Sequence, residues 1–166
     1  MPTAEITIKQ KLDKEISTLF KHSQIDKKFF SSKSDLTYSG FLSNRMLIIL
    51  AIREGIPYSL FNLIRLSSPF SENDWADILD ISTKSLQRYK LSAKNFKSLQ
   101  SEKIIEVAEV TNIGLDVFGT MEKFKLWLDT PNFPLGGLKP IELLKDSYGK
   151  EMVIGELTRI NYGIFA

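Results

Sequence analysis

The sequence predicts an all-α protein. Apolar residues recur at the three- and four-residue spacing of amphipathic helices in several segments, and no segment alternates convincingly between apolar and polar residues as a half-buried strand does. Glycine, proline and serine stand at the ends of these segments, where helices stop and start. With 166 residues, 43% of them hydrophobic, the chain can build a real core as one domain or as two small ones.

Composition narrows the classes of function. The chain has no cysteine, so neither disulfides nor thiolate metal sites are available, which suits a reducing cytoplasm. The longest apolar run, Met46–Ile52, is far too short to cross a bilayer, and the first residues lack the layout of a signal peptide. We therefore expect a cytoplasmic protein without a membrane partner. The net charge of +2 does not by itself indicate a nucleic-acid partner.

Residues 1–40 are expected to form an N-terminal tail that carries one short helix. Five apolar residues recur at helical spacing and predict one amphipathic face: Ile8, Leu12, Ile16, Leu19 and Phe20. Residues Ser31–Asp35 are typical of a loop. We expect this helix to dock on the body of the protein or on another subunit.

Regular helix boundaries begin after residue 40. Ser43 can cap a helix that runs through Arg53 and ends near Gly55. Pro57 suits the first turn of the next helix, where its missing N–H is no loss. Ser71, followed by carboxylates, is expected to start another helix. A longer one should begin at Asn95 or Ser98.

The segment Trp75–Tyr89 fits a helix-turn-helix motif. Asp80 occupies the turn position where φ is often positive, a conformation that Asp tolerates. Ile81 and Leu86 are expected to point into the angle between the two helices, and Ser82 to cap the second helix. The sequence therefore predicts a helix-turn-helix DNA-binding domain over residues 41–119.

The second helix of this motif leaves polar side chains on its outer face that can bond phosphates and base edges. Between Ser82 and Lys103 the charge is also locally basic, six cations against one acid. The alternative is a plain helical hairpin with a solvated basic face. If the motif binds DNA, the contacts are expected from Thr83, Lys84, Ser85, Gln87, Arg88, Lys90 and Lys94.

The C-terminal segment contains further helix signals. A helix over Met121–Leu128 would place Phe124, Trp127 and Leu128 on one face. The last helix, from about Gly149, would bury three residues spaced by four and three: Val153, Leu157 and Ile160.

Five separated motifs occur in a recognisable order in this segment: Trp127-Leu128, Thr130-Pro131, Leu135-Gly136-Gly137, Pro140, and Arg159-Ile160-Asn161-Tyr162-Gly163. In this order they resemble the toxin-binding domain of Xre/MbcA/ParS-type antitoxins. The resemblance covers roughly Gly119 to Gly163 and implies a small α-helical toxin-binding domain over residues 120–166. It also implies an Xre-like helix-turn-helix before that domain.

The resemblance further implies the partners. An antitoxin of this type would neutralise a cognate RES-domain toxin, which depletes NAD, by covering the toxin's active site. Its helix-turn-helix would bind operator DNA and repress its own operon, as a homodimer within a larger toxin–antitoxin complex, because one recognition helix supplies too few contacts. The rival interpretation is a free-standing transcriptional regulator whose C-terminal domain dimerises or binds a ligand.

The resemblance also assigns roles to residues of the C-terminal segment. Toxin contact is expected from Arg159, Asn161, Tyr162, Gly163, Ile164, Phe165 and Ala166. The shape of the module is expected to depend on Trp127, Leu135, Gly136, Gly137 and Pro140. Because the last residues include two large apolar side chains, we expect them to enter the toxin's cleft. The alternative is that they pack on the protein's own core.

Nothing in the sequence indicates catalysis. His22 is the single histidine and has no partners for a triad or a metal site. The Leu135–Gly137 turn lacks the lysine and hydroxyl ending of a phosphate loop. The carboxylates are dispersed along helices. We expect no enzymatic activity, no cofactor and no metal.

Overall fold

The computed structural model describes residues 6–22 and 36–163. Within these ranges the chain forms helices and no strand, apart from an isolated antiparallel bridge between Asn132 and Leu138. The all-α prediction is confirmed. The helices are α1 Ile8–Lys21, α2 Tyr38–Leu42, α3 Arg45–Glu54, α4 Tyr58–Leu66, α5 Glu72–Leu79, α6 Thr83–Leu91, α7 Ser98–Phe118, α8 Met121–Leu128 and α9 Ser147–Asn161, with 3₁₀ helices at Phe133–Leu135 and Pro140–Lys145.

Helix α7 lies at the centre of the fold. It is the longest helix described, with 21 residues, and packs against α3, α5, α8 and α9. Nine of its residues are buried, and they lie on more than one face of the helix. A helix that is covered on several sides must be apolar on several sides, which explains why its pattern is less one-sided than that of a surface helix.

The predicted N-terminal helix is confirmed as α1 and belongs to the core. Thr7 caps it in a reciprocal pair with Gln10. Leu12, Ile16 and Phe20 are buried where α1 packs against α2 and α4. His22 follows the helix as an exposed residue. The loop predicted at residues 31–35 lies outside the described residues.

The predicted cap of α3 was wrong by one residue. Asn44, not Ser43, caps this helix, because the Asn44 side chain accepts a hydrogen bond from the N–H of Leu47. Ser43 instead ends α2, a single-turn helix that was not predicted from the sequence. Tyr38 and Phe41 of α2 are buried, so tertiary packing holds a helix that is too short to be stable alone.

A polar clamp joins the connection between α3 and α4 to the start of α7. Pro57 is the N-cap of α4, one residue before the predicted first turn. Ser98 begins α7, while the Asn95 side chain donates to the carbonyl of Gly55 over 3.1 Å. The buried Ser101 hydroxyl accepts from the N–H of Ile56 at 2.9 Å. This clamp satisfies backbone groups that would otherwise be buried without partners.

Two polar contacts tie α7 to α9. The Ser147 hydroxyl donates to the buried carboxylate of Glu106 at 2.7 Å, and Lys150 pairs with Glu109 at 3.1 Å. Burial raises the pKa of the Glu106 carboxyl above its ordinary value, although the Ser147 hydrogen bond and the Lys150 charge oppose that shift. Because the pKa is higher in the folded state, the native protein binds more protons than the unfolded chain as pH falls.

We predict that Glu106→Gln raises the free energy of unfolding at pH 7. The amide can still accept the Ser147 hydrogen bond, and no charge is buried. The advantage of the variant should shrink as pH falls toward the ordinary carboxyl pKa of about 4.3, because protonation neutralises Glu106 in the wild type. Urea unfolding at several pH values measures this.

Glu151→Gln is the matched control, because Glu151 is exposed on α9. It should change the stability by less than about 0.5 kcal/mol. A Glu106→Gln variant that is less stable than the wild type at pH 7, or whose advantage does not depend on pH, would contradict this account.

Candidate functional site

The turn between α5 and α6 has the geometry predicted for a helix-turn-helix. Asp80 adopts a left-handed conformation, with φ 53° and ψ 46°, and ends α5. Ser82 caps α6 by accepting from the N–H of Ser85 at 3.0 Å. Leu86 is buried and Ile81 packs against the core. Both apolar residues therefore hold α6 at its angle to α5, as the sequence predicts.

Helix α5 is anchored at its start and in its body. Ser71 and Asp74 form a reciprocal cap, each side chain accepting from the other's backbone N–H. Trp75 is fully buried and makes edge-to-face contacts with Phe61 and Phe70. A fixed α5 gives α6 a firm support.

The outer face of α6 is open to solvent. Thr83, Lys84, Gln87 and Arg88 are exposed, whereas Ser85 is half-buried and engaged at the cap. Lys90 and Lys94 are exposed as well. Within residues 6–22 and 36–163 no ion pair involves the exposed cations of this surface, Lys84, Arg88, Lys90, Lys94 and Lys97. Their charges are therefore available to an anionic partner.

An aromatic group holds the C-terminal module to α7. Phe124 of α8 is fully buried and stacks with Phe118 and Trp127. Its ring lies against Gly114 so closely that no side chain would fit there. Leu128 is buried on the same face of α8, and Trp127 is half-buried. The predicted apolar face of this helix is thus present.

The loop after α8 is a tight turn. Gly136 and Gly137 have φ values of +73° and +77°, which glycine adopts without strain. The backbone of Asn132 bonds to that of Leu138 across the turn, with an N–O distance of 3.0 Å. Leu135 at the turn and Pro140 after it are buried.

The module also contacts the helix-turn-helix directly. Helix α5 packs against the 3₁₀ helix Pro140–Lys145. Lys125 of α8 lies between two carboxylates, 3.6 Å from Asp74 and 3.3 Å from Asp129. The surface around α6 and the C-terminal module are therefore supported by neighbouring parts of one core.

Helix α9 has a second face that no part of the described chain covers. The residues of this face recur at intervals of four, three, four and three positions, which places them on one narrow stripe of the helix. They are Tyr148, Met152, Gly155, Arg159 and Tyr162. Tyr148 is 85% exposed and Tyr162 is 75% exposed, unusual values for large aromatic residues. Arg159 and Tyr162 were expected from the family resemblance. Tyr148, Met152 and Gly155 were not, although their helical spacing is visible in the sequence.

A glycine lies at the middle of this α9 stripe. A side chain at Gly155 would meet nothing within 4 Å, so no contact in the described chain requires glycine there. Glycine inside a helix costs about 0.5–1 kcal/mol relative to alanine. Its absence of a side chain leaves room for another molecule to approach the helix backbone.

The remaining predicted residues lie around the end of α9. Arg159 pairs with Glu156 at 3.0 Å and keeps 38% of its side chain exposed. Asn161 is exposed, and Gly163 adopts a φ of +70° just after the helix. Ile160, predicted to be buried with Val153 and Leu157, is only half-buried because it lies near the open end of the helix. Ile164, Phe165 and Ala166 lie outside the described residues.

Together these features define a helix-turn-helix protein with a helical module attached to its central helix. Two family models match the chain: the antitoxin Xre-like helix-turn-helix domain at residues 48–109, and the antitoxin Xre/MbcA/ParS C-terminal toxin-binding domain at residues 114–163. The chain belongs to the Xre/MbcA/ParS-type antitoxins. A search of curated proteins found no match.

Membership in this family assigns the protein a toxin partner and a DNA-binding fold, and families of this kind are in general not enzymes. Among the described residues, no helix is long and apolar enough to span a membrane. No group of histidine and carboxylate side chains suited to a metal ion occurs in that part of the chain either.

Two glycines of α9 provide a matched stability test. A side chain at Gly149 would collide with the backbone carbonyl of Leu143, whereas one at Gly155 would point into open space. We predict that Gly149→Ala lowers the free energy of unfolding by about 1–3 kcal/mol through overpacking. Gly155→Ala should raise it by about 0.5–1 kcal/mol. Denaturant unfolding followed by circular dichroism measures both, and equal effects of the two variants would refute the packing assigned to Gly149.

Proposed function

We propose that this antitoxin neutralises a RES-domain toxin, which depletes NAD, by covering the toxin's active site with its C-terminal domain. We also propose that the helix-turn-helix represses the operon that encodes both proteins. Each expected domain would have one function: residues 41–119 would bind DNA and residues 120–166 would bind the toxin. The N-terminal helix α1 would support the first of these, since it packs against α4.

The exposed stripe of α9 carries the toxin-binding proposal. Large aromatic side chains that protrude into solvent are costly unless a partner covers them, and tyrosines are frequent anchors at protein interfaces. Tyr148 and Tyr162 lie at the two ends of this stripe, fourteen positions apart along the helix and its cap. At 1.5 Å per residue they lie roughly 20 Å apart along the axis, a span suited to a protein partner.

Gly155, between these two aromatic anchors, fits the same proposal. A partner that contacts both ends of α9 must come close to the helix at its centre, and only a residue without a side chain permits backbone approach. Arg159 lies next to Gly155 on this stripe and can offer its guanidinium to a carboxylate at the rim of the toxin's cleft. The residues Asn161 to Ala166 would continue the contact into the cleft.

The DNA-binding proposal rests on the exposed cations around α6, which make no ion pair within the part of the chain that the structure describes. They flank an exposed recognition helix, the arrangement by which helix-turn-helix proteins contact phosphates and the major groove. One such helix covers too few bases for tight specific binding, so we propose a homodimer on the operator, within a larger complex with the toxin.

Co-expression tests the function as a whole. The candidate toxin is the product of the reading frame beside that of the antitoxin. Expressed alone, it should deplete cellular NAD and arrest growth, and co-expression of the antitoxin should restore both. Unchanged NAD during growth arrest would refute the RES assignment, and a stable complex without rescue would refute the covering of the active site.

We predict that Tyr148→Ala and Tyr162→Ala each weaken toxin binding by about 2 kcal/mol or more, which is roughly thirtyfold in Kd. Calorimetric titration with a catalytically inactive toxin measures this. Leu91→Ala is the control, since Leu91 is 87% exposed on α6 and not on the proposed toxin surface. Binding that responds to Leu91 but not to the tyrosines would place the interface elsewhere.

We predict two different responses to loss of a cation near α6. Arg88→Ala should cost about 1–3 kcal/mol at the operator if Arg88 contacts a base. Lys94→Ala or Lys97→Ala should weaken binding to all sequences and reduce the salt slope by about one unit per lost phosphate contact. Lys139→Ala, an exposed lysine of the C-terminal module, is the control. An intact protein without salt-sensitive binding to its promoter would refute the DNA-binding proposal.

A further inference from the structure

A hydrogen bond joins the recognition helix to the helix before it. The side-chain amide nitrogen of Gln87, on the exposed face of α6, donates to the carboxylate of Glu72. Glu72 is the first residue of α5, directly after the Ser71 cap, and is itself exposed. Both side chains line one open cavity of about 490 Å³, together with Thr83, Lys84 and Arg88.

The chemistry of this pair determines which way the Gln87 amide points. A carboxylate only accepts hydrogen bonds, so the NH₂ group must turn toward Glu72 and the carbonyl oxygen away from it. The NH₂ group has two hydrogens, and Glu72 occupies one of them. When Glu72 accepts the hydrogen that points away from the carbonyl oxygen, the other edge of the amide stays free and offers one N–H donor beside one C=O acceptor.

This donor and acceptor pair is complementary to adenine. In the major groove adenine presents N7 as an acceptor and its N6 amino group as a donor, and glutamine binds both in a bidentate contact. A glutamine held in place before binding loses less side-chain entropy when it makes that contact. No other hydrogen bond of the Gln87 side chain occurs within the described residues, so its remaining groups are available.

The negative charge of Glu72 is expected to weaken DNA binding. A carboxylate beside a DNA backbone repels phosphates, and it lies in the cavity shared with Lys84 and Arg88, whose charges favour them. We propose that Glu72 is a positioning residue that holds Gln87 to recognise one adenine in each half-site, at the expense of overall affinity. This inference rests on the proposed DNA-binding function.

The experiment selects DNA duplexes from a random library with the full-length protein and reads the base preference at each position. Four proteins are compared: the wild type, Gln87→Ala, Glu72→Gln and Glu72→Ala. Glu72→Gln keeps an acceptor for the Gln87 amide without the charge, whereas Glu72→Ala removes both. Because Glu72 is exposed at a helix start, circular dichroism should show that all four proteins are folded.

The wild type should prefer one adenine by about 5- to 150-fold over the other bases at that position, the range of a bidentate contact. Gln87→Ala and Glu72→Ala should both lose this preference. Glu72→Gln should bind DNA more tightly, since a phosphate-repelling charge is gone. Its adenine preference should be weaker than that of the wild type, because its amide can donate as well as accept and no longer fixes the orientation of Gln87.

An unchanged adenine preference in Glu72→Ala would overturn the inference and reduce Glu72 to an electrostatic role. Selection of a defined sequence without any adenine that depends on Gln87 would overturn it too, while leaving the proposed DNA binding intact. A wild type that selects nothing and binds no DNA would instead remove the proposed function, and this inference with it.

Discussion

Burial of α7 on several sides is the constraint on which the other features depend. This helix contacts α3 and α5 of the helix-turn-helix region and also α8 and α9 of the toxin-binding region. Apolar side chains therefore recur along more than one of its faces, with Ile104, Val107 and Val110 among the buried residues. A small C-terminal module of about fifty residues has too little core of its own, and α7 completes it.

Because both regions pack on α7, the proposed DNA-binding and toxin-binding surfaces are supported by one core. The outer face of α6 and the outer stripe of α9 are both held by elements that touch α7 or its neighbours, and α5 packs directly on the 3₁₀ helix of the module. The Lys125 bridge to Asp74 crosses the same junction. Exposed ion pairs contribute little on their own, so apolar packing is what keeps these elements together.

A few buried polar side chains fix how neighbouring helices are joined, where apolar packing alone would allow more than one arrangement. The Ser101 hydroxyl accepts a hydrogen bond from the N–H of Ile56, between α3 and α4. The Glu106 carboxylate accepts one from the Ser147 hydroxyl at the start of α9. The second of these has a cost, because a buried carboxylate is less stable than a neutral group of the same shape. Backbone conformation and a missing side chain also fix the arrangement of the helices. The left-handed conformation of Asp80 sets the turn before α6, and Gly114 lets Phe124 reach the backbone of α7.

Local chemistry explains what the sequence alone determined. The left-handed turn at Asp80, the Ser82 cap and the extent of α8 depend on a few consecutive residues, and all three follow from residue type. Tertiary contact decided the rest. Helix α2 exists because Tyr38 and Phe41 are buried, and the Gln87–Glu72 pair forms because the turn brings residues fifteen apart together. The residues of the open α9 stripe share one face of the helix, and their spacing shows this in the sequence. Packing against α7 decides which face of α9 is buried, and local periodicity cannot predict a contact with a distant segment.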